Sequence, residues 1–200
     1  MGPSGARLKR MGSTRNSPSG WREAQTAEDL CACTLGFLEG ELLSFPGWGA
    51  PNLDEESDAL VPTLKRCCQA GFLTVASQPA GTELPGADGR MERRRAFVTG
   101  FASAHALERM GLELPEGLVL FAHESSMLDV GCGMVVGERG DDAFLLAGGA
   151  AGPLELEFFR EESTAQAAQD LASWSFVSLI DEDWDQDDRL WSHLDRVLAP

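Results

Sequence analysis

Apolar positions recur at helical spacing in some stretches and as short continuous runs in others, and the changes of period mark out the elements. Leu30, Thr34, Phe37 and Leu38 share one helical face behind Thr26 and Asp29, whose spacing suits a capping box. This predicts a helix that starts after Thr26 and stops at Gly40. A Pro/Gly/Trp loop follows, from Phe45 to Pro51. A second helix is predicted from Asp54, a capping residue with Glu55 and Glu56 in the favourable first turn. Leu60, Leu64, Cys67 and Cys68 form its inner stripe, Pro62 kinks it and Gly71 ends it. Phe72–Ala76 reads as a buried strand, the segment Ser77–Gly89 as a long Gly/Pro loop, and Arg95–Phe101 as another strand. Ser103 caps a short helix that stops at Gly111. Short strands are predicted at Leu118–Ala122 and around Val135 and Phe144. Ser163 or Thr164 begins a helix through Ala172, and Phe176–Ile180 is a strand. Asp185 caps a final amphipathic helix carrying Leu190, Trp191, Leu194 and Leu198. Helices and strands mix without strict β-α-β alternation, and no internal repeat is visible. The expectation is one α+β domain of mixed short β-sheets flanked by helices.

Composition narrows the picture. At 200 residues and 43% hydrophobic content the chain has material for one core, which excludes a fully disordered protein. A net charge of −16 repels nucleic-acid phosphates and anionic membranes, so neither is an expected partner. The charge is uneven: Arg7, Lys9, Arg10, Arg15 and Arg22 precede the first acid. Residues 1–20 read as a disordered basic tail, and 21–200 as the domain. No apolar core of a secretory leader follows the basic residues, and no run approaches the ~18 apolar residues of a membrane span.

Five cysteines, Cys31, Cys33, Cys67, Cys68 and Cys132, are an odd number in no disulfide or zinc pattern. They read as buried thiols of a cytoplasmic protein. His105, His123 and His193 are scattered, so no metal is expected from them. Met127–Gly133 (MLDVGCG) matches the opening of a methyltransferase glycine loop, but such a loop needs a helix directly after it. The following residues, VVGERGDD, carry no helical face, so the segment reads as a Gly-rich turn between strands. The block Asp181, Glu182, Asp183, Asp185, Asp187, Asp188 offers oxygen ligands for calcium. It lacks the glycine and terminal glutamate of an EF-hand loop and reads as an acidic turn before the last helix.

Three segments, AGFLTVASQPA (Ala70–Ala80), the helix before it and FVSLIDEDWDQDDRLWSHLDRVL (Phe176–Leu198), resemble in order one known family, and RRAFVTGFASAHALERM (Arg94–Met110) looks like the strand–helix unit that family places after its SQP loop. It is the C-terminal S-adenosylmethionine-binding regulatory domain of methylenetetrahydrofolate reductase, and the likeness runs with gaps from about Trp21 to Leu198. A similar stand-alone unit occurs among actinobacterial proteins, and the Gly/Ala/Arg/Asp-rich composition fits that origin. The resemblance implies a ligand site without the reductase's flavin-binding barrel, so no flavin is expected. On the matching positions it implies that Glu56, Ser57, Thr74 and Ser77 bind S-adenosylmethionine or S-adenosylhomocysteine. Ser125 and Ser126 are the nearest candidates for the family's further hydroxyl contacts. Asp54 stands where the family has a small residue and adds negative charge beside a sulfonium. The tight reversal at Gly71 folds the second helix back along the following strand. A helix of about 16 residues is ~24 Å long and a five-residue strand ~17 Å, so the helix start comes near Ser77.

The expected function is a non-catalytic, stand-alone sensor of an adenosyl metabolite, and the resemblance further implies a homodimer. A small enzyme acting on that metabolite is an alternative, although no nucleophile–base constellation is present in the sequence. An interaction module that has lost the pocket is the other.

Overall fold

The computed structural model describes residues 20–48, 55–85, 89–186 and 188–199, excepting the side chains of residues 55, 56 and 82–85. The 1–20 tail, except Gly20, and Asp54 lie outside the described residues. The chain folds as an α+β domain built on two four-stranded antiparallel sheets.

The first helix, α1 (Ala27–Leu38), begins with the capping box. The Asp29 amide donates to Thr26 Oγ1 at 3.1 Å, and the Thr26 amide donates to Asp29 Oδ2 at 3.2 Å. A 3₁₀ turn, Glu55–Leu60, leads into α2 (Val61–Gln69). The expected single helix from Asp54 is thus two pieces. Pro62 is not a kink inside a helix: it occupies the first turn of α2, where its missing N–H costs nothing. Gly71 reverses the chain at φ 84°, and β1 (Phe72–Gln78) follows.

The predicted loop from Ser77 to Gly89 is replaced by structure. Strand β1 runs two residues further than expected, and β2 (Gly81–Pro85) pairs with β3 (Met91–Arg94). Of these two, β2 is an edge strand of the second sheet. Then come β4 (Phe97–Ala102), α3 (Ala104–Gly111, capped by Ser103), β5 (Leu118–Glu124), β6 (Met134–Arg139) and β7 (Asp142–Ala147). An unforeseen helix, α4 (Gly152–Glu162), precedes α5 (Ala165–Leu171), which Thr164 rather than Ser163 caps. The chain closes with β8 (Ser175–Asp181) and α6 (Asp188–Val197). Asp185 lies in the bend before α6, too far upstream to cap it, and Asp187 is outside the described residues.

The central sheet has the order β1-β4-β8-β5 and the second sheet β2-β3-β6-β7. One face of the central sheet packs Phe72, Val98, Val177 and Leu179 against Leu64 and Cys67 of α2, Met110 of α3, and Leu190 and Leu194 of α6. The other face packs Leu73, Phe101 and Phe176 against α1, α4 and α5. Here Phe159 meets Trp21, Phe45 and Phe101 edge-on, with centroids 6.0–6.2 Å apart. Each fully buried side chain of this kind contributes about 1.5–3 kcal/mol by leaving water. The two sheets meet where Phe97 and Ile180 cover Val136. Gln78 ties the junction, donating from Nε2 to the Arg95 carbonyl at 3.0 Å and to the Val136 carbonyl at 3.3 Å.

One glycine is demanded by this packing. Gly100 of β4 lies so close to β1 that a Cβ there would sit 2.0 Å from the Leu73 carbonyl oxygen.

Candidate functional site

Ser57, Thr74 and Ser77 line one cavity, although they come from the 3₁₀ turn and from β1. The chain reverses at Gly71, and the cavity takes Ser57 from the turn before α2 and Ser77 from near the end of β1, although the expected single helix is two pieces. Ser57 and Thr74 are buried and Ser77 is half-buried. Glu56 is the second residue of the same turn, next to Ser57, and its side chain is outside the described residues. Ser125 and Ser126 do not line this cavity; Ser125 is buried and donates its hydroxyl hydrogen bond to the Trp174 carbonyl.

The rest of the wall went unrecognised in the sequence. Thr34, Phe37 and Leu38 come from α1, Leu64 from α2, and Phe45 and Trp48 from the loop after α1. Phe37 and Phe45 are in ring contact at 5.5 Å, and the Trp48 amide donates to the Phe45 carbonyl at 3.0 Å. The loop's aromatic residues were the available signal: Phe45 is buried, while Trp48 stays exposed at the cavity's rim. The Thr34 hydroxyl donates to the Leu30 carbonyl at 2.9 Å, which leaves it only lone pairs to offer a ligand. The enclosed volume is about 30 Å³, near one water's share of the liquid and far below the roughly 300–1,000 Å³ of ordinary ligand sites.

Burial shapes the thiols of α1 and α2. Burial pushes Cys68 up to about 12, against hydrogen bonding with Thr74 that pulls it down. Cys33 is likewise pushed up to about 12, and burial raises Cys31 and Cys67 well above the ordinary thiol value. All five cysteines are free, and Cys132 is the exposed one.

The glycine motif has a structural explanation. A 3₁₀ turn at Val130–Cys132 leads directly into β6, with no helix after the loop. A Cβ at Gly133 would lie 2.4 Å from the Ala147 carbonyl oxygen, so close approach to the end of β7 demands this glycine.

The acidic block is held by arginine. The buried Asp181 carboxylate accepts from Arg189 Nε at 2.8 Å and from Nη2, and also from the Asp183 amide at 3.0 Å. Asp183 pairs with the same guanidinium at 2.7 Å. These acids raise the Arg189 pKa above its ordinary value, chiefly through the Asp181 hydrogen bond. Among the described residues no group of three His, Cys, Asp or Glu side chains is placed to hold a metal ion. None of their helices is long and apolar enough to cross a membrane.

The fold and cavity thus define a small α+β domain with a closed, aromatic-walled notch. The chain belongs to the family described as a domain of unknown function, DUF6919, whose model matches residues 16–200. The comparison with curated proteins gives no match.

Proposed function

We propose that this domain is a non-catalytic sensor that binds S-adenosylmethionine or S-adenosylhomocysteine at the notch between α1, the Glu55–Leu60 turn and the end of β1. The observation that carries the reading is the convergence of Ser57, Thr74 and Ser77 from separate elements on one aromatic-walled cavity. These are three of the four positions that the likeness to the methylenetetrahydrofolate reductase regulatory domain marks. Hydroxyls serve both donors and acceptors of a ribose or an amino-acid head, and an adjacent carboxylate at Glu56 accepts charge-assisted bonds. The aromatic wall offers stacking area to an adenine. At about 30 Å³ the notch is closed to a nucleoside, so binding requires the Phe45–Trp48 wall to move outward. The free cysteines support a reducing, cytoplasmic setting. A homodimer completes the reading, on the strength of the same likeness alone.

The small cavity favours one alternative: an interaction module that keeps the fold without the ligand. Calorimetric titration of the intact protein with each adenosyl compound separates the two. One saturable site, weakened in Ser77→Ala and accompanied by a change in Trp48 emission, supports the sensor. Absence of heat with both compounds overturns it in favour of the interaction module.

A further inference from the structure

A second and larger cavity opens on the other side of Ala76. It lies between the β4–β8 face of the central sheet and the loop that joins β7 to α4, and holds about 320 Å³. That volume falls at the lower end of the range of small-molecule sites. Phe97, Leu145 and Phe176 give it apolar walls. Among the described residues three polar side chains line it: Thr99, Ser178 and Glu155.

Their hydrogen-bonding capacity is only partly used. Thr99 Oγ1 donates to the Val177 carbonyl at 3.2 Å and also meets Ser178 Oγ. Either hydroxyl can be the donor of this pair, and in both arrangements lone pairs remain to accept from a ligand. Glu155, one turn into α4, is half-buried and has neither a hydrogen bond nor an ion pair among the described residues. Burial raises its carboxyl pKa above the ordinary value, and no cation opposes that effect. A carboxylate in such a position is costly to keep unless a partner arrives.

We propose that this cleft is a binding site for a small organic cation, with an apolar body against the phenylalanine walls and an ammonium group on Glu155. The Glu155 carboxylate, unpaired among the described residues, selects a cation, the hydroxyl lone pairs accept from its ammonium group, and aromatic faces add cation–π attraction. The net charge of −16 raises the local concentration of such ligands and repels anions. The site uses none of the residues proposed for the adenosyl ligand, so the two readings stand or fall separately.

Three probes of one shape test it: phenethylamine, 2-phenylethanol and 3-phenylpropanoate, titrated into the intact protein by ligand-observed NMR. The titrations are run at roughly pH 8, where the amine is protonated. The amine should bind at least about 10-fold more tightly than the alcohol, and the carboxylate more weakly than either. Glu155→Gln should bring the amine to the affinity of the alcohol without lowering the thermal midpoint, because the native carboxylate has no partner to lose among the described residues. Ser77→Ala should leave amine binding unchanged. Equal affinity for amine and alcohol, unchanged amine affinity in Glu155→Gln, or no binding of any probe would overturn the proposal.

Discussion

Gly100 makes the residue scale concrete. Its α-carbon hydrogen faces the β1 backbone where a methyl group would overlap the Leu73 carbonyl oxygen at 2.0 Å. Backbone atoms in a central sheet cannot yield as a side chain can. Gly100→Ala should therefore cost at least about 1–3 kcal/mol, read as a lower urea midpoint. The cysteines give a second test at this scale. Four of the five thiols are buried, and burial pushes their pKa values up, to about 12 for Cys33 and Cys68. Only Cys132 should react quickly with a thiol reagent in the native protein, and all five after denaturation. A second fast thiol would contradict the packing of α1 on α2.

At the scale of elements, the turn from β8 to α6 depends on one guanidinium. Asp181 is fully buried and Arg189 is its charged partner. Arg189→Met leaves that carboxylate uncompensated, and the expected loss is about 3–5 kcal/mol in chemical denaturation. In the second sheet, buried Glu92 is gripped by Arg139 and Arg94. The hydrogen bond from Arg139, more than any other influence, holds its carboxyl below the ordinary value of 4.5. A depressed native pKa means the stabilisation is present above the unfolded value and disappears as pH falls through the native one. The midpoint difference between the parent and Glu92→Gln should thus be full at neutral pH and vanish in acid. A difference that grows on acidification would reverse the assignment.

Legibility also belongs to this scale. The α1 start was readable because Thr26 and Asp29 complete the cap within four residues. The FLTVA and FVSLI strands were readable because both faces of the central sheet are covered, which leaves continuous apolar runs. Strands β2 and β3 were not: MERR is polar and gains its pairing from β6, more than forty residues downstream. Helix α4 hides behind the alternation LELEF, and its buried positions, Leu156 and Phe159, acquire meaning only against Phe101 and Trp21. The hydroxyls of the notch were marked by likeness to a known family. Glu155, Thr99 and Ser178 carry no local signal, because their cleft exists only once two sheets meet.

The whole molecule is a central sheet covered on one face by α2, α3 and α6, and on the other by α1, α4, α5 and the second sheet. The proposed adenosyl notch lies at its β1 edge, and the net charge of −16 surrounds it with a negative field. That field should make S-adenosylmethionine, a sulfonium cation, bind with a steeper salt dependence than neutral-sulfur S-adenosylhomocysteine. Equal salt slopes would mean that the field does not reach the site. The most direct measurement of the sensor reading compares calorimetric affinities for S-adenosylmethionine in the parent and Glu56→Gln. The substitution keeps shape and removes charge, and a first-turn acid contributes only ~0.3–1 kcal/mol to the fold. Loss of a charge-assisted hydrogen bond should weaken binding by roughly 1.5–3 kcal/mol, about 10- to 150-fold, with the thermal midpoint nearly unchanged. Equal affinity in the two proteins would contradict the proposed site.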